Sequence, residues 1–158
     1  MVVANITDYK VGLFIHVLAV VVAFGPTFSY GLIFSLSGKY PRATPAFFEA
    51  IRKIDRFALE PGMLVILLAG IYLLAEGPWE SSEAFITIGF IAIIVLFGMQ
   101  HGFFRPQGRK AQALAERDLQ AGDTLSDEYM EVAKRLGMVG PIAGLIVVVT
   151  IFFMVVKP

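Results

Sequence analysis

His16 interrupts the apolar stretch at residues 11–36, where an ionisable side chain has few reasons to stand. Placing such a group in hydrocarbon is costly, so it marks function by default. A neutral imidazole can ligate haem iron or copper, or pass a proton. The structural alternative is a neutral ring hydrogen-bonded to Tyr72 or to a threonine hydroxyl. Counted at about 1.5 Å per residue, His16 lies roughly 10 Å from the middle of its stretch, and Tyr72, Thr87 and Thr150 fall at similar heights on three others. These four residues form the candidate cofactor site, with His16 as the metal ligand of a b-type haem or of copper.

A second polar layer holds Glu60, Gln100, His101 and Arg105, with Ser29 and Tyr30 at the same depth. Glu60 and Arg105 end neighbouring stretches and are expected to pair, either as an anchor at the polar boundary or as part of a proton or cation path. His16 and His101 are the two histidines of the chain. Their heights differ by roughly 20 Å, whereas axial ligands of one iron stand about 4 Å apart, so one haem cannot take both. Met63, Met99, Met138 and Met154 could serve soft copper, but they form no regular series and read as core filler. The absence of cysteine removes disulfides, thiolate catalysis and cysteine-held metal centres together. No phosphate loop, carboxylate pair or nucleophile triad occurs.

The elements that must position these groups follow from composition. Of 158 residues, 57% are hydrophobic and 16% charged, and the mean hydropathy is +0.74. An average soluble domain carries about 25% charged residues, so lipid must be the solvent for much of this surface. Net charge is zero, and nothing in it calls for a nucleic-acid partner. A bilayer-spanning helix needs about 20 mostly apolar residues, and residues 11–36, 58–75, 84–104 and 136–156 qualify. Residues 1–158 thus read as a single transmembrane domain, an all-α, up-down four-helix bundle. The first stretch is too long for a cleavable leader and is expected to be retained. Lys39, Arg42, Arg52, Lys53 and Arg56 occupy the first connection, and Arg105, Arg109, Lys110, Arg117, Lys134 and Arg135 the third. The second holds Glu76, Glu80 and Glu83 without a base. The positive-inside rule therefore predicts both termini outside the inner membrane.

The connections carry structure of their own. Thr44 and Pro45 open an amphipathic helix with Phe47, Phe48, Ile51, Ile54 and Phe57 on one side, which suits a helix on the membrane surface before Pro61 starts the second span. Spans three and four are expected to continue as cytoplasmic helices around a turn at Ala121–Asp123, with Ser126 capping the last helix. His16, Ala19, Ala23, Thr27 and Tyr30 make an inward stripe on span one, and Gly98–Gly102 and Gly140–Gly144 predict close helix packing. Pro26 and Pro141 should bend or open their helices.

The stretch His16–Pro26 (HVLAVVVAFGP), with EPG at Glu60–Gly62, AGIY at Ala69–Tyr72 and MVVKP at Met154–Pro158, resembles a group of bacterial four-helix membrane proteins of unknown function. That group is similar to the membrane domain of copper-resistance protein D and to the four-helix protoporphyrinogen oxidase. The resemblance implies the bundle, and haem, porphyrin or metal handling at the position of His16. Two further classes stand beside that one: a non-enzymatic subunit of a homo-oligomer or larger membrane complex, and a small transporter or proton path.

Overall fold

A computed structural model describes residues 8–157, and Pro158 of the closing motif lies outside them. Four helices are long and apolar enough to cross a membrane: α1 (Asp8–Lys39), α2 (Pro41–Glu76), α3 (Ala84–Ala121) and α4 (Asp127–Val156). Among the described residues no strand occurs. Only helices and closed barrels satisfy every backbone group within lipid. The chain reverses at Tyr40, between Gly77 and Glu83, and between Gly122 and Ser126, so consecutive helices run antiparallel. At 1.5 Å per residue each helix outruns a core of about 30 Å. The excess gathers at one end, where the basic connections lie.

Two apolar clusters hold the helices. The first lies within the apolar spans and joins Ala19, Ala23 and Phe24 of α1 to Leu59, Met63 and Ile66 of α2, Ile93 and Leu96 of α3 and Val147 of α4. The second lies at the basic end and joins Phe48 to Ala111, Leu114, Ala115, Tyr129, Val132 and Leu136. The amphipathic stretch after Thr44 is therefore no separate surface element. It runs on into the second span, and Phe48 and Ile51 are buried in protein. Phe57, 74% exposed, keeps the outward orientation that the sequence assigns to the whole face. The cause is the length of α3 and α4: residues 105–121 and 127–136 form an antiparallel pair that offers an apolar face where lipid was expected. Ser126 caps α4 as expected, its hydroxyl accepting from the Tyr129 backbone N–H at 3.3 Å.

The α1–α2 seam is made by small residues, though not by the pairs singled out in the sequence. A Cβ added to Gly62 would stand 2.6 Å from the Ala23 Cβ, and one added to Gly12 would stand 2.6 Å from the Tyr72 ring. By contrast, nothing lies within 4 Å of a Cβ built on Gly98, Gly102 or Gly140, and only Phe28 approaches Gly144, at 3.7 Å. The expected packing role of Gly98–Gly102 and Gly140–Gly144 is corrected accordingly, because Gly98, Gly102 and Gly140 face open space and Gly144 meets only the Phe28 ring of α1 at ordinary contact distance.

Three helices depart from regular α geometry. Pro26 opens a 3₁₀ turn, Pro26–Ser29, inside α1, with the Thr27 hydroxyl donating to the Phe24 carbonyl at 2.7 Å. In α2 and α3 the departures are π turns, Asp55–Leu59 and Gln100–Phe104, that end just before Glu60–Pro61 and Arg105–Pro106. Proline lacks an N–H and its ring crowds the carbonyl four residues earlier, and a widened turn relieves both problems. Pro141 leaves the continuous α assignment of α4 unbroken.

Candidate functional site

The two π turns and the 3₁₀ turn border one cleft of about 1130 Å³. It lies between all four helices toward the basic end, lined inside by Phe24, Phe28, Met63, Leu96 and Val147. Its polar groups come from the irregular turns. Asp55 begins the first π turn and Gln100 the second, and both side chains meet there. Tyr30 Oη donates to Asp55 Oδ1 at 2.7 Å, and Gln100 Nε2 donates to Asp55 Oδ2 at 3.0 Å. One carboxylate thus ties α1, α2 and α3 together. Gln100 is 5% exposed, and Asp55 is half-buried. Arg105 Nη1 donates to Glu60 Oε1 at 3.3 Å, so the expected pair forms beside this network.

Arg52, Arg56 and Arg109 also line the cleft. Among the described residues none of the three enters an ion pair, whereas Lys53 is taken by Glu49 at 2.8 Å. The Arg56 guanidinium lies over the Phe57 ring, 5.8 Å from its centroid. The mouth is therefore basic, and the interior apolar except at Asp55, Tyr30, Gln100 and the Glu60–Arg105 pair.

The remaining residues of the inner layer go elsewhere. His101 is exposed on α3, stacked on Phe97 at 4.3 Å, with Nδ1 at 3.2 Å from the Phe97 carbonyl of its own helix. Of the four residues Glu60, Gln100, His101 and Arg105, three face the cleft and His101 does not line it.

His16 lies on the α1–α2 seam. A Cβ built on Gly70 would stand 3.4 Å from its Cε1, so the ring occupies the notch left by that glycine. Its Nδ1 is buried without a hydrogen bond of good geometry, although the Ile66 backbone is near enough to interact with the ring. Tyr72 packs one turn away, over Gly12. Thr150 donates to the Ile146 carbonyl at 2.7 Å, and Thr87 is exposed on α3. Among the described residues no hydrogen bond joins any two of these four. The unpartnered atom is Nδ1, enclosed between α1 and α2 beside Gly70, and His16 does not line the cleft. No group of three or more His, Asp or Glu side chains that could hold a metal occurs among the described residues.

Asp55 is the site residue that sequence reasoning missed. It stands four residues after Ile51 and seven after Phe48, on the buried face of its amphipathic helix. An acid on an apolar face was the available signal.

Four apolar helices around a largely apolar cleft define a multi-pass α-helical membrane protein. The chain belongs to the family described as "Predicted integral membrane protein (DUF2269)", whose profile matches residues 11–158. No curated protein matches the chain, and no solved structure does.

Proposed function

We propose that this protein binds an amphiphile with an acidic head in the cleft, the apolar part among the spans and the head at the basic end. The observation that carries this reading is the pairing of an apolar interior with Arg52, Arg56 and Arg109 at one mouth, three guanidinium groups that enter no ion pair among the described residues. Ligand sites of this kind are mostly apolar with a few placed polar groups, and typically hold about 300–1,000 Å³. Guanidinium forks suit phosphate and carboxylate alike. In this reading the basic end faces the cytoplasm and both termini face outward, since positive connections stay inside.

A porphyrin has the same chemistry, a rigid apolar body bearing two carboxylates, so haem falls within the proposed class. His16 does not line the cleft, which separates a porphyrin bound there from a haem ligated on the α1–α2 seam.

The test is titration of purified protein with oleyl phosphate, oleyl alcohol and protoporphyrin, read by native mass spectrometry and absorption. Oleyl phosphate should bind more tightly than the alcohol. Replacing Arg52, Arg56 and Arg109 together by Gln should weaken it about tenfold, since three screened charge pairs are worth ~0.5 kcal/mol each. Protoporphyrin should weaken by a similar factor in the same triple variant and bind unchanged in His16→Ala. Equal binding of phosphate and alcohol, or binding of neither, overturns the proposal.

A further inference from the structure

We infer that the head recognised by the cleft carries a hydroxyl donor on the chain side of its anion, and that Asp55 accepts from it. This rests on the amphiphile-binding reading and narrows the ligand to single-chain acidic lipids of the lysophosphatidate type, whose free hydroxyl lies between acyl chain and phosphate.

The argument starts from the lone pairs of Asp55. An ionised carboxylate offers about four acceptor positions. Two are filled, both by neutral donors, Tyr30 Oη and Gln100 Nε2. Among the described residues no cation pairs with Asp55, although Arg52, Lys53 and Arg56 surround it in sequence. The acid therefore faces the cleft half-buried, with acceptor capacity left and no counter-charge of its own. A half-satisfied polar group in an apolar wall is costly unless the ligand completes it.

Position supplies the rest. Asp55 stands three residues beyond Arg52 on α2, about 4.5 Å further from the basic end. Arg109 lies on the third helix one turn beyond Arg105, again toward the basic end. The order from the interior outward is apolar wall, acceptor, then the Arg52 and Arg109 guanidinium groups. Arg56 stands one residue, and Glu60, paired with Arg105, five residues to the interior side of Asp55 along α2. A simple alkyl phosphate satisfies the first and last but places nothing at the acceptor. A diacyl lipid presents an ester carbonyl there, which repels a carboxylate. A single-chain lipid with a free hydroxyl next to the phosphate matches all three in sequence.

The experiment compares 1-oleoyl lysophosphatidate, its 2-O-methyl ether and oleyl phosphate on the full chain in detergent, by native mass spectrometry with competition. The wild type should prefer lysophosphatidate about tenfold or more over both hydroxyl-free lipids, as expected for a hydrogen bond to a charged acceptor. Asp55→Asn should cut that preference, read as the ratio of the lipid affinities within the variant, to about threefold or less, because an amide oxygen accepts more weakly than a carboxylate. The methyl ether probes the same contact in unaltered protein, so the inference stays testable if the variant fails to fold. Oleyl phosphate binding with no preference for the free hydroxyl, or a preference that stays above about threefold in Asp55→Asn, overturns this inference alone. Binding of none of the lipids overturns it together with the reading beneath it.

Discussion

Asp55 and Asp118 are both acids on largely buried helix faces, yet their surroundings give them opposite roles. Asp118 stands on the extension of α3, beyond the apolar span, with a side chain 7% exposed. It accepts from the Ser126 backbone N–H at 2.8 Å and from Arg117 Nη2 at 2.8 Å, closing the turn between α3 and α4. These contacts, those of Ser126 foremost, hold its carboxyl down to about 2, below the ordinary 3.8. A depressed carboxylate contributes stability above its unfolded value and loses it as pH falls through the folded one. Asp118→Asn should therefore lower Tm at neutral pH, and the gap from wild type should close between about pH 4 and pH 2. Thermal melts in detergent across that range check it, and a gap that persists at the acid end would refute the assignment. At this scale the sequence was partly legible. Glu60 and Arg105 announce their pairing by type and position, and Gln100 announces a polar contact. Asp55 hides because its neighbours Arg52, Lys53 and Arg56 make the segment read as a solvated face, and only a three-dimensional partner reveals which side the acid takes. His101 misleads for the converse reason: exposed and held by its own helix, it resembles a site residue in one dimension only.

At the scale of elements, apolar length announces all four helices and their antiparallel order, because a bilayer leaves few alternatives. Which faces meet is less legible. Glycine pairs spaced by four stand on α3 and α4, while the close seam uses single glycines of α1 and α2, so spacing alone does not mark a seam. Gly62 is a close seam position, its virtual Cβ 2.6 Å from the Ala23 Cβ and 3.3 Å from the Ala23 Cα, so a methyl there must push two backbones apart. Gly62→Ala should cost about 1–3 kcal/mol, as overpacking of a close contact does. Gly98→Ala meets open space and should be neutral or stabilising within about 1 kcal/mol, since alanine favours a helix over glycine. Unfolding curves in mixed micelles compare the two, and equal costs would contradict the seam described. The π turns were not foreseen at all. Pro61 was visible as the start of a span, but α2 and α3 absorb Pro61 and Pro106 by widening the turn before each. That widening presents Asp55 and Gln100 to one another.

For the molecule as a whole, charge distribution and cleft position are one fact. The bases that bias the connections toward one side of a membrane also supply the guanidinium groups at the mouth, so the face on which a ligand's head would lie follows from topology. The opposite end is closed differently. Trp79 donates through Nε1 to Tyr9 Oη at 3.1 Å, stacks edge-on to Phe85 at 5.3 Å, and lies under Lys157 Nζ at 3.8 Å, a cluster suited to an interfacial belt. Because the chain contains no cysteine, single cysteines report each end without background. Ser81→Cys, in the α2–α3 connection, should react with a membrane-impermeant maleimide in intact spheroplasts. At the basic end, Gly122→Cys, in the α3–α4 turn with nothing within 4 Å of its Cβ, should react only after permeabilisation. Reversed labelling would put the arginine mouth on the outer side, and an acidic lipid would then have to enter from the outer leaflet. Labelling of both positions from outside would show that the α3 span does not cross, and the cleft between all four helices would lose the wall that α3 provides.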